Sequence, residues 1–436
     1  MHEICLFNGT VLTMDGEKTV IPDGMVHIKG SRITWVGKRS DPDAPRGQQG
    51  EEIDVKGGLI LPGLINGHTH AAMTLMRGLA DDLPLQDWLE GHIFPAEQRL
   101  TPEAVYWGTM LACAEMIKNG VTCFGDMYLF AAKVAEAADH AGMRAVVGEV
   151  IYDFPSPSYG DLENGFAWTR ELISTYKKHP RITGAVMPHA LYTCSPSLLE
   201  RVGSMCEDLD ADMNMHLAEN RAETVQVKEL YGKRPLDHLD DLGLLNERLW
   251  IDHGVDLGPA EIERLAEAGA RLAHCPESNM KLASGVAPLG EMLKAGLKVG
   301  LGTDGCASNN DLDILGEMDT CAKVHKVTDL DPTAAPAPEV LALGTSAGAQ
   351  ALGQDDLGVL QAGALADVIV IDTNKPHLTP LYNPFSQLVY AARGADVIHT
   401  ICHGKVLMKD RRLQSLDEAE VLAKAREQAA ALGLGE

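Results

Sequence analysis

The sequence has no continuous apolar stretch of about 20 residues, the length that a membrane-spanning helix needs. Its N-terminus, MHEICLFNGTVLTMDG, lacks a basic segment followed by an apolar run, so no signal peptide is predicted. Basic residues are scarce, since 37 Lys and Arg against 62 Asp and Glu leave a formal net charge of −25 over 436 residues. That charge argues against nucleic-acid or anionic-membrane partners, because their phosphates would repel the chain.

The cysteines also lack a pairing pattern. There are nine of them, an odd number, and they are scattered without a CxxC pair. Such a set is typical of a reducing compartment rather than of a disulfide framework. The hydrophobic fraction of 45% is ordinary for a globular protein, so we expect a soluble, cytoplasmic chain.

Eight apolar runs rich in Val, Ile and Leu follow one another from residue 58, separated by stretches long enough to be helices. Near-continuous apolarity is typical of parallel strands that are covered on both faces. Eight strands alternating with helices predict an α/β fold, a (β/α)8 barrel; a doubly wound sheet is disfavoured because no Gly-rich phosphate turn is found. The runs cover residues 58–70, 121–127, 144–152, 182–190, 212–219, 248–256, 270–278 and 297–305.

Both ends of the chain have strand character instead. Residues 1–57 read as short strands, and strand patterns return in residues 363–436, followed by a terminal helix from Leu416. We expect these end segments to pair with each other in a satellite sheet beside the barrel of residues 58–362.

Titratable side chains follow most of the eight runs, where the loops of a barrel form its active-site mouth. A buried strand end normally excludes such groups unless they are paired or bind a metal. The sequence therefore predicts a polar site at one end of the barrel. The side chains concerned are His68, His70, Asp126, His189, His216, Glu219, Asp252, His253, His274 and Asp304.

The motif INGHTH places His68 and His70 two residues apart on a strand, so both side chains point to the same face while Thr69 points away. They can share one metal ion, although two hydrogen-bonded structural histidines are the alternative. His216 is the best third ligand because it ends another strand. Asp304 can add a carboxylate oxygen, although it could also cap a helix.

The other polar groups are harder to assign. Glu219, just past a strand end, is predicted to be a general acid/base rather than a solvated loop charge. His253 and His189 are candidates for substrate contact, with a structural histidine as a serious rival in both cases. His274 and Asp126 are expected to be structural.

Two segments are expected to line the mouth of this site. The loop of residues 76–97 is long, contains Trp88 and ends in Glu97. The stretch of residues 277–285 offers Ser278, Asn279 and Lys281. Of these side chains, Trp88, Ser278 and Asn279 are predicted to bind substrate.

Four stretches of the sequence resemble the amidohydrolase superfamily, and more closely its 5-methylthioadenosine/S-adenosylhomocysteine deaminase branch. The resemblance covers nearly the whole chain, and it implies a metal-dependent hydrolase barrel with a composite β-sandwich formed by both termini. The stretches are PGLINGHTHAAMTLMRGLADDLPLQDWL, HLAEN, CPESNMKLASG and GLGTDGCASNNDLD.

The resemblance implies an enzyme that deaminates the adenine ring of 5′-modified adenosines by attack of a metal-bound hydroxide, giving the inosine analogue and ammonia. The substrates would be 5′-methylthioadenosine and S-adenosylhomocysteine, with adenosine and 5′-deoxyadenosine as further candidates. One divalent ion, usually zinc, with Fe, Mn, Co or Ni as alternatives, would be held by His68, His70, His216 and Asp304. A homo-oligomer is expected from the resemblance alone.

The resemblance also implies roles for the remaining candidates. Glu219 and Asp304 would transfer protons and touch the substrate, and His253 would contact the attacking hydroxide. Glu97 would bind the ribose hydroxyls, and His189 would bind the purine ring.

Two other functions stay open. A different reaction of the same fold, such as deamination of guanine, cytosine or a pterin, or dechlorination of a triazine, needs nearly the same metal ligands. A barrel that has lost catalysis could act as a binding or scaffold protein, in which case the ligand set should be broken.

One departure from the family pattern concerns the 5′ group. Members that accept S-adenosylhomocysteine can use two arginines to bind its carboxylate, and Glu149 and Asp161 stand where we align them. Because carboxylates there would repel the substrate's carboxylate, we expect an uncharged 5′ group to be favoured.

Overall fold

The computed structural model describes residues 2–45 and 50–434, which contain eighteen strands and sixteen α-helices. Among these helices, none has the length and apolarity needed to cross a membrane. The strands are β1 (Glu3–Leu12), β2 (Val20–Lys29), β3 (Arg32–Lys38), β4 (Glu51–Asp54), β5 (Leu59–Pro62), β6 (Leu64–Thr69), β7 (Val121–Tyr128), β8 (Arg144–Ile151), β9 (Ile182–Gly184), β10 (Met187–Pro188), β11 (Met213–Leu217), β12 (Leu249–His253), β13 (Arg271–His274), β14 (Lys298–Leu301), β15 (Val368–Ile371), β16 (Val397–Cys402), β17 (Lys405–Lys409) and β18 (Arg412–Leu413).

The helices occupy most of the stretches between the barrel strands and end the chain. They are α1 (Leu85–Trp88), α2 (Phe94–Glu97), α3 (Pro102–Lys118), α4 (Ala131–Ala141), α5 (Leu162–Tyr176), α6 (Pro196–Leu209), α7 (Arg221–Tyr231), α8 (Pro235–Asp241), α9 (Pro259–Glu267), α10 (Pro276–Lys281), α11 (Leu289–Lys294), α12 (Ile314–Asp329), α13 (Ala337–Leu343), α14 (Ser346–Ala351), α15 (Pro384–Tyr390) and α16 (Glu418–Ala431).

Strands β6 to β14 form a parallel barrel in which β9 and β10 together fill the fourth position. The two halves are joined on both sides. The contacts include a parallel bridge between Val186 and Met213 and a hydrogen bond of 3.0 Å from the Asp304 N–H to the His68 carbonyl. Every residue of β7 and β8 is buried, as expected for strands covered on both faces. The predicted barrel is therefore confirmed.

The barrel interior is filled rather than open. Trp250 of β12 is fully buried, and its ring lies so close to Gly125 of β7 that a Cβ at Gly125 would collide with it. This packing fills the interior of the barrel.

Strands from both ends of the chain form one nine-stranded sheet, with the order β18-β17-β16-β15-β5-β1-β2-β3 and β4 beside β1. Strand β5 joins the two ends, because it pairs parallel with β1 and antiparallel with β15. The sequence predicted that residues 58–70 form a single barrel strand. This prediction is wrong for the first residues, because β5 belongs to the terminal sheet and only β6 belongs to the barrel. Both strands are fully buried, so their apolarity could not separate them.

A buried ion pair connects this sheet to the barrel. Arg144, at the start of β8, donates from Nε and a terminal guanidinium nitrogen to the two carboxylate oxygens of Asp367, at 3.0 and 3.1 Å. Asp367 precedes β15 and also accepts the backbone N–H of His403 at 2.8 Å. Both charged side chains are almost completely buried.

Candidate active site

Three imidazoles and one carboxylate converge at the carboxyl end of the barrel. His68 and His70 lie at the end of β6, His216 lies on β11, and Asp304 follows β14. The Nε2 atoms of His68 and His70 lie 3.4 and 3.3 Å from Asp304 Oδ1, and His216 Nε2 lies 3.4 Å from His70 Nε2. The structure thus brings together the four side chains that the sequence grouped.

The other nitrogen of each imidazole faces an acceptor in the protein. Nδ1 of His70 and of His216 lie 2.6 and 2.9 Å from backbone carbonyl oxygens. Nδ1 of His68 lies 3.0 Å from Oδ2 of Asp252. An N–H directed at these oxygens fixes the tautomer and leaves the Nε2 lone pairs directed at the common centre.

The electrostatics of this centre fit a cation. Burial lowers the pKa of His70 to about 4 and that of His216 well below its usual value, so both imidazoles are neutral. For His68, burial again lowers the pKa, but the carboxylates of Asp252 and Asp304 outweigh it and raise the pKa to about 10. A bound divalent ion would displace the Nε2 proton of His68, and imidazole nitrogens with a carboxylate oxygen are common ligands of such ions, so the donor set fits one divalent metal.

Asp304 is held by hydroxyl groups behind it. Its Oδ2 accepts from Ser278 Oγ at 2.6 Å and from Ser308 Oγ at 2.9 Å, and its Oδ1 accepts the backbone N–H of Gly305 at 2.7 Å. The alternative role as a helix cap does not apply, because α12 begins later and is capped by Asp313.

Ser278 and Asn279 support other site residues instead of lining the cavity. Both are buried; Ser278 contacts Asp304, and Asn279 Oδ1 lies 3.0 Å from Nδ1 of His253. Both were expected to touch a substrate, but neither side chain lines the cavity. The sequence could not separate the two roles, because both place a polar side chain after β13.

A cavity of about 250 Å³ opens above the four converging side chains. Glu219, His253, His189, Glu97 and Trp88, all expected near a substrate, contribute to its wall. The segment that carries the last two was predicted to be a loop, but from residue 85 to residue 97 it is helical, with a single π-helical turn at Leu89–Ile93.

Glu219 is a buried carboxyl group that faces this cavity. Burial raises its pKa above the ordinary value, although the neighbouring His253 opposes the shift. Its backbone N–H donates to Oε2 of Glu223 at 2.7 Å. Glu223 is itself buried, and burial raises its pKa to about 8.

Three residues around the site have left-handed backbone conformations that side chains other than glycine seldom adopt. Ala218, His253 and Asp304 have φ values of 52°, 72° and 63°. Each such conformation costs on the order of 1–3 kcal/mol and is typical of functional sites. All three residues lie at or just after the end of a barrel strand.

Two polar residues at strand ends lie away from the cavity, as expected. Asp126 accepts from Thr69 Oγ1 at 2.8 Å and from the backbone N–H of Ala71 at 2.6 Å. His274 Nε2 lies 3.1 Å from Nε2 of His325. Both groups have hydrogen-bonding partners within the protein.

Neither of the carboxylates expected to repel a substrate lines the cavity. Glu149 is buried and accepts the backbone N–H groups of Phe130 and Ala131 at 3.1 and 2.8 Å, at the start of α4. Asp161 is exposed and precedes α5. The expected repulsion by these two residues is therefore wrong, because sequence position did not reveal where their side chains point.

Sequence reasoning missed Asp252 as a partner of His68 and Glu223 as a partner of Glu219. The sequence placed Asp252 only among the titratable side chains at the strand ends, without a partner. For Glu223 the available signal was its position four residues after Glu219, in the first turn of a helix.

The sequence of this chain is similar to a known protein family and to named relatives. Residues 59–407 match the model of the amidohydrolase family. The chain is 55% identical over 425 residues to a 5-methylthioadenosine/S-adenosylhomocysteine deaminase of Syntrophobacter fumaroxidans, covering 97% of each chain. It is 44% identical over 431 residues to a 5′-deoxyadenosine deaminase of Methanosarcina mazei, covering 98% of each.

A solved structure is also similar over the whole chain. An adenosine deaminase from Xanthomonas campestris with bound zinc superposes with a TM-score of 0.96 at 38% sequence identity, covering 99% of each chain. The resemblance predicted from the motifs is confirmed. The chain belongs to the amidohydrolase family.

Proposed function

We propose that this amidohydrolase is a metal-dependent deaminase that acts on the adenine ring of 5′-modified adenosines, releasing ammonia and leaving the inosine analogue. One observation carries the proposal: His70, His216 and Asp304, which converge with His68, line the same cavity as a buried carboxyl group, Glu219. The candidate substrates are those in the relatives' names, 5′-methylthioadenosine, S-adenosylhomocysteine and 5′-deoxyadenosine, together with adenosine.

We assign His68, His70, His216 and Asp304 as the ligands of one divalent ion. Zinc is the proposed ion, supported by the zinc in the similar solved structure and by the nitrogen-rich donor set. Such an ion lowers the pKa of a bound water toward about 7 and so supplies a nucleophile at neutral pH.

The proton transfers are assigned to two carboxyl groups. Because burial raises its pKa, Glu219 keeps its proton to a higher pH than an exposed carboxyl group and can donate it to the ring nitrogen beside the carbon under attack. That protonation makes the carbon electrophilic. Asp304 takes one proton of the attacking water and passes it to the amino group. The C–N bond breaks as the C=O bond forms, so the amino group leaves as ammonia, and the second proton of the water returns to Glu219, which restores the acid.

His253 is assigned to orient the attacking water. Its Nδ1 faces Asn279 Oδ1 at 3.0 Å, so an N–H there leaves Nε2 to accept a hydrogen bond from the water. Its ring stacks on His216, with centroids 5.5 Å apart and planes 23° apart.

The nucleoside is assigned to the cavity wall beyond these groups. His189, a neutral imidazole because burial lowers its pKa to about 3, is proposed to bind the purine ring. Glu97 is proposed to bind the ribose hydroxyls, and Trp88 to contact the substrate through its ring. The alternative substrates guanine, cytosine, pterins and triazines have no ribose, so they leave Glu97 without a role. An inactive scaffold is disfavoured because the ligand set is intact.

The division into domains is part of the proposal. The terminal strands are proposed to form a composite β-sandwich, and the intervening chain forms the barrel. In support, buried side chains of the terminal sheet, such as Leu6, Val26, Ile60 and Val370, make a hydrophobic cluster separate from that of the barrel. A sheet folded over on itself is expected to have such a core.

We also propose that the enzyme works in the cytoplasm. All nine cysteines lie in the described part of the chain, where they are free and buried. Thiols in this state suit a reducing compartment.

A Glu219→Gln variant tests the assignment. We expect unchanged metal content and a loss in kcat of about 10²- to 10⁴-fold, because glutamine cannot donate a proton as an acid. The wild-type rate should fall as the pH rises through the raised pKa of Glu219, since the acid form is then lost. Metal analysis and steady-state kinetics measure these effects, with Glu163→Gln, an exposed residue, as the control. Near-normal turnover by Glu219→Gln with metal bound would refute its role.

A further inference from the structure

The cavity wall is polar near the metal ligands and aromatic farther from them. A series of ring contacts leads from His216 to His189, Tyr152, Phe154 and Phe94, with centroid separations of 5.0, 6.4, 3.9 and 6.4 Å. All five rings line the cavity. One end of the cavity is therefore polar and lies at the metal ligands, and the other is aromatic.

Tyr152 and Phe154 form a stacked pair at the aromatic end. Their ring planes are 16° apart, and the Tyr152 hydroxyl donates to Ser156 Oγ at 3.3 Å, which holds the buried ring in place. Phe154 is 41% exposed and lines the cavity, so its ring is accessible to a ligand there. An apolar ligand group would cover the ring and remove it from water.

This end of the cavity has no cation to offer a charged ligand. Among the described residues that line it, none is a lysine or an arginine. The ionisable group on the helix that carries Phe94 is Glu97, three residues later on α2 and so on the same helix face. A ligand carboxylate at the aromatic end would therefore meet rings and an acidic group.

Cations do line a neighbouring cavity, which contains Arg221 and Lys281. The two cavities share Glu219, Tyr192 and Leu282, so they meet beside the proposed acid/base rather than at the Tyr152–Phe154 pair. This second cavity is the competing place for a charged substituent.

We propose that Phe94, Tyr152 and Phe154 form the binding subsite for the 5′ substituent, and that this subsite selects a small apolar group over an amino-acid chain. The inference rests on the proposed function. With the reacting end of the purine at Glu219 and the ribose at Glu97, the 5′ position lies beyond Glu97, beside the aromatic end. A thioether and its methyl group make favourable contacts with aromatic rings, whereas a carboxylate and an ammonium group would lose water without gaining partners.

The test compares kcat/KM for 5′-methylthioadenosine, 5′-deoxyadenosine, adenosine and S-adenosylhomocysteine. We expect the wild type to favour 5′-methylthioadenosine over S-adenosylhomocysteine by about tenfold or more. Phe154→Ala should lower the ratio of kcat/KM for 5′-methylthioadenosine to kcat/KM for S-adenosylhomocysteine, because the apolar contact is lost. Phe154→Arg should lower it further by placing a guanidinium group where the carboxylate of S-adenosylhomocysteine would lie.

Arg221→Ala serves as the matched control, because it removes a cation from the neighbouring cavity and should leave the ratio unchanged. A wild type that turns over S-adenosylhomocysteine as well as 5′-methylthioadenosine would overturn the proposal, as would a ratio that responds to Arg221→Ala and not to Phe154→Arg. Failure to deaminate any of the four nucleosides, adenosine included, would instead contradict the proposed function.

Discussion

Single residues behind the cavity wall hold the reactive groups in place, and Glu223 is the clearest case. Its carboxyl group accepts the backbone N–H of Glu219 at 2.7 Å, next to the left-handed turn at Ala218. Glu223→Ala leaves that buried N–H unpaired, so Glu219 should lose its position and kcat should fall about 10- to 100-fold. Glu223→Gln should keep most of the activity, because its amide oxygen can accept the same bond.

Steady-state kinetics and metal content of both variants check this expectation. Rescue by glutamine separates a positioning role from proton transfer, since the amide group cannot act as an acid. An alanine variant with the kcat of the wild type would contradict the role of Glu223.

The difference between side chains that face the cavity and side chains behind its wall explains which site residues were predictable. His68 and His70 are two apart on one strand, and His216 and Asp304 end others, so barrel geometry alone predicts that they meet. Ser278 and Asn279 also follow a strand, yet they face Asp304 and His253 from behind. Whether a side chain faces the cavity or its supporting layer depends on backbone angles, such as those at Ala218, which the residue types do not determine.

Among the secondary-structure elements, helix α4 depends on a side chain from a neighbouring strand. Its N-terminal N–H groups, on Phe130 and Ala131, donate to the buried carboxyl group of Glu149 on β8. Glu149→Ala removes these acceptors, and we expect the free energy of unfolding to fall by about 2 kcal/mol near pH 5. Urea denaturation measures the change, and Glu163→Ala, on the surface, should change it little.

The difference in the free energy of unfolding between the wild type and Glu149→Ala should depend on pH. Burial raises the folded-state pKa of Glu149 from 4.5 to about 7. Because the folded pKa lies above the unfolded one, the stability that the protonated group contributes is lost as the pH rises from 4.5 to about 7. The difference in unfolding free energy between the wild type and Glu149→Ala should therefore become smaller over that range. A difference that grows would contradict the stabilising role of protonated Glu149.

The elements themselves were predictable where the chain repeats a strong pattern. The barrel strands follow from apolar runs, and α3 begins where Thr101 and Pro102 predict it, with the Thr101 side chain accepting from Ala104 N–H. The segment 85–97 was not predictable, because two four-residue helices joined by a π-helical turn are too short for a periodic signal.

For the whole molecule, the Arg144–Asp367 ion pair connects the barrel to the terminal sheet. Both groups are buried, so Asp367→Ala leaves an unpaired guanidinium group and should lower the free energy of unfolding by about 3–5 kcal/mol. Arg144→Leu combined with Asp367→Leu should cost less, because no charge is then left buried. Chemical denaturation of both proteins checks this, and an Asp367→Ala protein within 1 kcal/mol of the wild type (roughly one RT ln 5) would contradict it.

The pairing of the two chain ends was predictable from their shared strand character, but the boundary with the barrel was not. Strands β5 and β6 are equally apolar and only Gly63 separates them. Their assignment to different sheets depends on partners far along the chain, β15 and β7.

The metal ligands and Glu219 are proposed to deaminate an adenosine nucleoside together. The most direct measurement is the product of the metal-loaded enzyme with 5′-methylthioadenosine, identified by mass and by released ammonia. We predict equimolar ammonia and the inosine analogue, with activity lost on chelation and restored by zinc. A protein that binds one equivalent of metal, yet releases no ammonia from any adenosine nucleoside, would contradict the claim.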